Sequence, residues 1–295
     1  MKYVGARDNF LGIEDENYFS YNNSKFVIQQ LPYEYTSSYL LGSSKGPNAI
    51  VKASQFVELY DEELDAEPYK TGRICTLKPT KFGKKVDADA IDLIEKKTTK
   101  LLNDNKFVVS IGAEHTVTYG LVKAHAAKYN NLTILQFDAH SDLREEYHDN
   151  PYSHASVMKR VWDMRLNIVQ VGIRAQCIEE AQLIKRSKKL HTLYAHQIRN
   201  NSKWIDEALE NMTDNVYITI DADGFDPSVI PAVGTAEPNG LFWNESVELF
   251  RRTIQKKNVV GFDIVECAPM QGSILSEYTL AKLAYKLMGY ITTKR

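Results

Sequence analysis

Cysteine is scarce in this chain of 295 residues: Cys75, Cys177 and Cys267 are the only three. Few, odd in number and far apart, they imply neither a disulfide framework nor a cysteine zinc site, and they read as small buried apolar residues. Long apolar runs are missing as well; nothing reaches the roughly 18 consecutive apolar residues of a bilayer span. The first residues, Met1-Lys2-Tyr3-Val4-Gly5-Ala6-Arg7-Asp8, lack the apolar core of a secretory signal. Excess charge of one sign is also lacking. A formal net charge of −2 gives no field to draw in nucleic acid or an anionic membrane. The expectation is a cytoplasmic protein with neither of those partners. With 43% hydrophobic and 25% charged residues, the composition is that of a globular chain able to bury a large core.

The pattern along the chain is repeated alternation of strand and helix. Residues 1–24, polar, acidic and rich in aromatics and Asn, read as an irregular N-terminal arm on the surface of the body. Lys25 to Leu31 reads as a first strand stopped by Pro32. Gly46-Pro47-Asn48 opens a helix to about Tyr60, with Pro47 in the first turn, where its missing N–H is harmless. Between Asp61 and Val86 only a short strand near Arg73 to Leu77 stands out. Then follow a helix (Asp87 to Asn103), a strand (Phe107 to Ile111), a helix (Val117 to Lys128), a strand (Leu132 to Phe137) and a helix (Ser153 to Met164). The second half continues with strands at Asn167 to Val171, Leu190 to Leu193, Val216 to Ile220 and Val259 to Val265. Helices at Gln176 to Ser187, Ser202 to Asn211, Glu245 to Lys256 and Ser276 to Tyr290 separate and close them. Such alternation predicts an α/β fold with a parallel sheet covered on both faces. No linker or repeat divides residues 25–295, which are expected to form one catalytic domain.

Leu132-Thr-Ile-Leu-Gln-Phe137 is an apolar strand that ends abruptly in Asp138, His140 and Asp142. Unpaired ions at such depth cost several kcal/mol each, so a bound metal is the economical explanation. Sites in parallel sheets form beyond the carboxyl ends of the strands, and two more segments deliver ligand types there. His115 follows Phe107 to Ile111, and Asp221 with Asp223 follows Val216 to Ile220. Side chains two apart point the same way, so Asp138 with His140, and Asp221 with Asp223, can converge. Four carboxylates and two imidazoles are too much negative charge for one ion but suit two divalent cations bridged by shared carboxylates. Oxygen-dominated ligation points to Mn2+. The plainer alternative is that Asp221 merely caps the turn after its strand. His125, His191 and His196 read as structural.

Four segments carry a resemblance. Gly112-Ala113-Glu114-His115, Asp138-Ala139-His140-Ser141-Asp142, Asp221-Ala222-Asp223-Gly224-Phe225-Asp226-Pro227 and Asp263-Ile264-Val265-Glu266-Cys267-Ala268-Pro269 resemble, in order, the signatures of the ureohydrolases, the arginase/agmatinase family. The likeness runs from about Phe10 to the C-terminus. It implies a three-layer α/β/α fold, a homo-oligomer (trimer or hexamer), and two Mn2+ per subunit that hydrolyse small-molecule guanidino substrates to urea and an amine. By the same resemblance His115, Asp138, Asp142 and Asp221 would hold one ion and Asp138, His140, Asp221 and Asp223 the other. Glu266 would grip the guanidinium, whose paired N–H donors suit a carboxylate. His154 would relay a proton to the leaving amine, with His148 as its competitor in the same loop.

Arg144 stands two residues past Asp142, where arginases use Asn for the amino-acid end of arginine. Ala175, Gln176 and Cys177 follow Gly172-Ile173-Arg174 without the carboxylate that arginases place there. Asp142-Leu143-Arg144 and Gly234-Thr235-Ala236-Glu237-Pro238 look more like agmatinases, which implies agmatine as substrate, giving putrescine and urea in polyamine biosynthesis. Glu145, Glu146 and Tyr147 are candidates for the amine tail. Ala113, Ala236 and Met270-Gln271-Gly272 depart from the common family pattern without touching a ligand. The alternatives are a guanidinobutyrase, guanidinopropionase or arginase, in the first two of which Arg144 would face a substrate carboxylate; a single-zinc deacetylase-type amidohydrolase; and a non-catalytic binding protein on the same fold.

Overall fold

Eight strands pair side by side in one sheet: β1 (Phe26–Leu31), β2 (Ile74–Thr76), β3 (Phe107–Gly112), β4 (Leu132–Phe137), β5 (Asn167–Ile173), β6 (Leu190–Tyr194), β7 (Asn215–Asp221) and β8 (Asn258–Val265). All are parallel, in the order β2-β1-β3-β8-β7-β4-β5-β6. The computed structural model describes residues 2–294, so the expected arm and domain bounds at Met1 and Arg295 fall outside it. Among the described residues ten α-helices accompany the strands: α1 (Gly46–Ser54), α2 (Pro68–Gly72), α3 (Asp87–Asn103), α4 (Val117–Lys128), α5 (Val157–Asp163), α6 (Ile178–Arg186), α7 (Ala195–Ile198), α8 (Trp204–Glu210), α9 (Trp243–Lys256) and, after the last strand, α10 (Leu275–Thr293). None is long and apolar enough to cross a membrane.

Because strand side chains alternate, the sheet has two unlike faces. One carries Ile28, Val109, Leu135, Val169, Ile218 and Phe262, packed against α1, α8, α9 and α10. The opposite face meets Ile94 of α3, Leu121 of α4, Met158 of α5 and Leu183 of α6, which gives three layers. On this second face the alternation also places polar residues in the core: Gln136, Gln170, Thr219 and Asp263 are fully buried. Each has a partner. Thr192 donates to Gln170, Gln170 donates to Gln136, and Gln136 donates to Asp138 at 2.8 Å. This polar stripe leads to the carboxyl ends of the four central strands β3, β8, β7 and β4.

Several expectations change. The first 24 residues do not simply lie on the surface, since Phe10, Leu11, Ile13 and Phe19 are buried in the main core. Asn9 ties that turn together by accepting from Ile13 N–H and donating to its carbonyl. Helix α1 stops at Ser54 rather than near Tyr60. Ser54 Oγ takes the Leu11 N–H, and the chain turns so that Val57 enters the core. Helix α2 has no clear sequence signal beyond Pro68 in its first turn. The helix expected from Ser153 opens as a 3-10 turn, His154–Ser156, before α5 begins.

Gly224 is where the fold presses on the site. A Cβ there would lie 2.6 Å from the Phe137 ring and 2.9 Å from the Asp138 backbone nitrogen. That ring is wedged against Phe225 and Phe250 and has nowhere to go. Gly224→Ala is expected to cost about 1–3 kcal/mol by overpacking, read as a lower urea midpoint at unchanged slope; an unchanged midpoint would show that the contact relaxes freely.

Candidate metal centre and active site

Every sequence-expected ligand arrives at one place. His115 follows β3, Asp138 to Asp142 follow β4, and Asp221 and Asp223 close β7. His115 Nδ1 stands 3.1 Å from Asp138 Oδ2, 3.0 Å from Asp142 Oδ2 and 3.3 Å from Asp221 Oδ2. His140 Nδ1 stands 3.0 Å from Asp223 Oδ2 and 3.8 Å from Asp138 Oδ1. Two groups therefore meet, His115 with Asp138 and Asp142, and Asp138 with His140 and Asp223, sharing Asp138. The capping role considered for Asp221 is also real: its Oδ1 accepts the Asp223 N–H at 2.9 Å while Oδ2 faces His115. Asp138 does likewise with the His140 N–H at 2.6 Å. Each carboxylate shapes its own turn with one oxygen and offers the other to the cluster.

The protonation of His115 decides what the cluster needs. Thr219 Oγ1 donates to Asp263 Oδ1 at 2.7 Å, so toward His115 Nε2, 2.9 Å away, it can only accept. Nε2 thus carries a hydrogen. Although burial opposes it, Asp138, Asp142 and Asp221 raise the imidazole well above its ordinary value when no cation is present, and the deprotonated ring would turn a lone pair at Nδ1 toward three carboxylate oxygens. Nδ1 is buried, and none of those oxygens lies where an Nδ1–H bond would require it. A lone pair and three anionic oxygens around one point fit a cation. Asp263, fully buried, is steadied by Tyr217 and Thr118 hydroxyls as well. It belongs to a segment singled out in the sequence, yet its supporting role rests on pairing between strands that no linear spacing encodes.

Without a cation the carboxylates resist ionisation. Burial, then Asp223, raises Asp138; burial, then Asp223 and Asp138, raises Asp221 strongly. Burial and Asp138 push Asp142 up to about 7. Burial alone would raise Asp223 too, but His140 holds it at about 2. Asp142 adopts φ 52° and Glu266 φ 63°. Such left-handed backbone at non-glycine residues stores strain at functional positions.

The cluster floors a cleft of about 300 Å³. Glu266, after β8, reaches it from one side, with its Oε1 accepting the His115 N–H at 2.6 Å. Burial and the neighbouring Glu114 raise the Glu266 carboxyl well above its ordinary value. His154 also lines the cleft; burial, then the imidazoles of His115 and His140, lower it to about 4. His148, in contrast, is exposed and packs at a tilt against Tyr147. Of the tail candidates, Tyr147 lines the cleft, with Arg144 5.2 Å over its ring, whereas Glu145 is turned away to Lys159 and Arg160. Glu237, not picked out for the tail, lines the cleft. Arg174 holds the loop beneath it by donating to the carbonyls of Asp223, Phe225 and Glu237.

The family model for the arginase family matches residues 24–289. The chain belongs to the arginase family. It is 42% identical over 295 residues to an N(1)-aminopropylagmatine ureohydrolase of Synechocystis sp., covering 98% of this chain and 95% of the relative. It is 35% identical over 260 residues to an agmatinase of Bacillus cereus, covering 85% and 86%. The crystal structure of agmatine ureohydrolase of Thermoplasma volcanium superposes with a TM-score of 0.83 at 28% identity, covering 98% of this chain and 95% of that one. This arginase-family protein is accordingly an agmatinase-like ureohydrolase with the family's three-layer α/β/α fold.

Chelation provides a direct test of the cluster. A carboxyl whose folded pKa is raised above the ordinary 3.8 contributes stability below its unfolded value and loses it as pH rises through the folded one. The metal-stripped enzyme should therefore lose melting temperature as pH rises from about 4 to 7, between the unfolded and folded values of Asp142, and regain it on adding Mn2+. Equal pH slopes for stripped and reloaded protein would contradict the assignment.

Proposed function

We propose that this ureohydrolase acts on guanidines with the agmatine skeleton, releasing urea and a polyamine at a pair of manganese ions. The observation that carries the reading is the unpartnered, buried His115 Nδ1 among three carboxylate oxygens, with Asp138 shared between two ligand groups. His115, Asp138, Asp142 and Asp221 would hold one ion, and Asp138, His140, Asp221 and Asp223 the other. When bound, such a pair supplies hydroxide as a nucleophile near neutral pH.

The chain's own residues orient and protonate. Glu266 receives the guanidinium: with Oε1 occupied by the His115 N–H, Oε2 is left for the substrate. A planar cation beside Glu266 offsets the burial and the neighbouring Glu114 that raise its carboxyl and favours the ionised, gripping form. Fixing the guanidinium carbon over the cluster makes the attack effectively unimolecular. His154, neutral in the cleft wall, takes up a proton and passes it to the departing amine.

A tail without a carboxylate is supported by the outer cleft. Ala175 and Gln176 line it where a carboxylate would be needed for the α-amino group of arginine, and the acidic Glu237 lines it near His140. Among agmatine-type substrates, the aminopropyl-extended one is favoured by the 42% identity to a relative named for it, with agmatine itself as the second reading. Urea release should accompany Mn2+ loading, with kcat/KM for N(1)-aminopropylagmatine or agmatine at least about tenfold above that for arginine, given the unpaired polar groups arginine would leave. Turnover of arginine alone would overturn this substrate assignment. Glu266→Gln should keep its manganese by elemental analysis and lose about 100-fold or more in kcat/KM.

A further inference from the structure

One hydroxyl on the cleft wall meets His154 twice. Thr36 Oγ1 accepts the His154 backbone N–H at 3.0 Å and stands 3.2 Å from the ring Nδ1. His154 and Ser38 line the cleft, and Ser38 Oγ is 3.4 Å from Nε2. Nε2 is therefore the ring atom on the cleft side, and Nδ1 is the one tied back to the protein.

The hydroxyl admits two arrangements. By donating to Nδ1 it would leave the ring hydrogen on Nε2 and no lone pair toward the cleft. By accepting from Nδ1–H it would leave the Nε2 lone pair facing the cleft, provided the Thr36 hydrogen has another acceptor. Acceptors are at hand. Thr116 Oγ1 is 3.5 Å away, and both threonine hydroxyls are near enough to Glu114 to lower a carboxyl that burial raises to about 7. Glu114 is fully buried, and its Oε1 has no hydrogen-bond partner. A buried carboxylate oxygen without a donor is costly, so it draws the hydroxyl hydrogens toward itself and frees Thr36 to accept.

Thr36 is also fixed in place. Glu114 Oε2 accepts the Tyr35 N–H at 2.9 Å and the Thr36 N–H at 2.7 Å. At the far end of the same loop Glu34 accepts from Gly42, Ser43 and Ser44, where Gly42 sits at φ 128°. The loop is pinned at both ends by carboxylates, and Thr36 is held beside Glu114.

We propose that Thr36, backed by Glu114, is a positioning residue that accepts from His154 Nδ1–H and keeps Nε2 available for proton transfer. The inference rests on the reading of His154 as the proton relay. In the step, Nε2 takes a proton from water and delivers it to the departing amine nitrogen as the C–N bond breaks. The ring ends neutral, as it began. Accepting from Nδ1–H also favours the charged ring, so Thr36 supports the intermediate imidazolium.

The test uses the manganese-loaded full chain and whichever guanidine the urea screen selects. Thr36→Val should lower kcat about five- to tenfold, the loss of one hydrogen bond, with KM and bound manganese unchanged, and Thr36→Ser should restore the rate. The limb of the kcat–pH profile that disappears in His154→Asn should move to lower pH in Thr36→Val. The Thr36→Val/His154→Asn double variant should be no slower than His154→Asn alone. If Thr36→Val does not accumulate in soluble form, Thr36→Ala takes its place in the same comparison. A slow His154→Asn beside an unaffected Thr36 variant, or multiplicative losses in the double variant, would overturn the positioning role alone. Full turnover in His154→Asn would overturn the relay as well.

Discussion

Four carboxylates are forced together at the carboxyl ends of β4 and β7, and the rest of the site answers to that repulsion. Asp138 is at its centre, facing Asp223 and Asp221 across a few ångströms in the protein interior. Like charges in such surroundings do not persist without cations. The backbone is built to impose the arrangement rather than avoid it. Asp138 and Asp221 each spend one oxygen on an N–H two residues ahead, which fixes the turn and turns the other oxygen toward His115.

The surrounding polar groups follow from the same demand. A metal ligand must present a lone pair at a fixed angle, and the Asp263–Thr219–His115 chain sets which ring nitrogen does so. Glu266 and Glu114 extend the electronegative field toward the cleft, where a guanidinium is the complementary charge. Attraction for a cationic substrate and for metal ions thus arise from one excess of buried carboxylate. The imidazole of His154, which burial holds neutral, lines the same cleft and is tied back to Thr36.

Much of this could be read from the chain because ligands at strand ends leave a strong linear mark: an apolar run that stops in charge. The strands fall within a residue or two of their expected places, and all six expected ligands meet. The misses share a cause. Helix α2 and the buried turn at Phe10 are stabilised by tertiary contact rather than local pattern. Thr219, Gln136, Thr36 and the roles of Glu114 and Asp263 depend on partners 40 to 150 residues away or on neighbouring strands, and polar residues in the middle of a strand look like solvent-facing ones when only period is considered. Glu145 seemed suited to a substrate amine, but two basic side chains on α5 claim it.

The amide ladder that runs from Thr192 through Gln170 and Gln136 to Asp138 has a direction and an address. Each amide turns its oxygen toward the sheet edge and its nitrogen toward the centre. Gln136 lies opposite Gln170, and Gln170 opposite Thr192, in the pairing of β4, β5 and β6. A slip of one residue in either pairing would turn a rung onto the apolar face and break the ladder behind Gln136. Alignment of the outer strands therefore reaches the central carboxylate indirectly, through the orientation it gives the Gln136 amide.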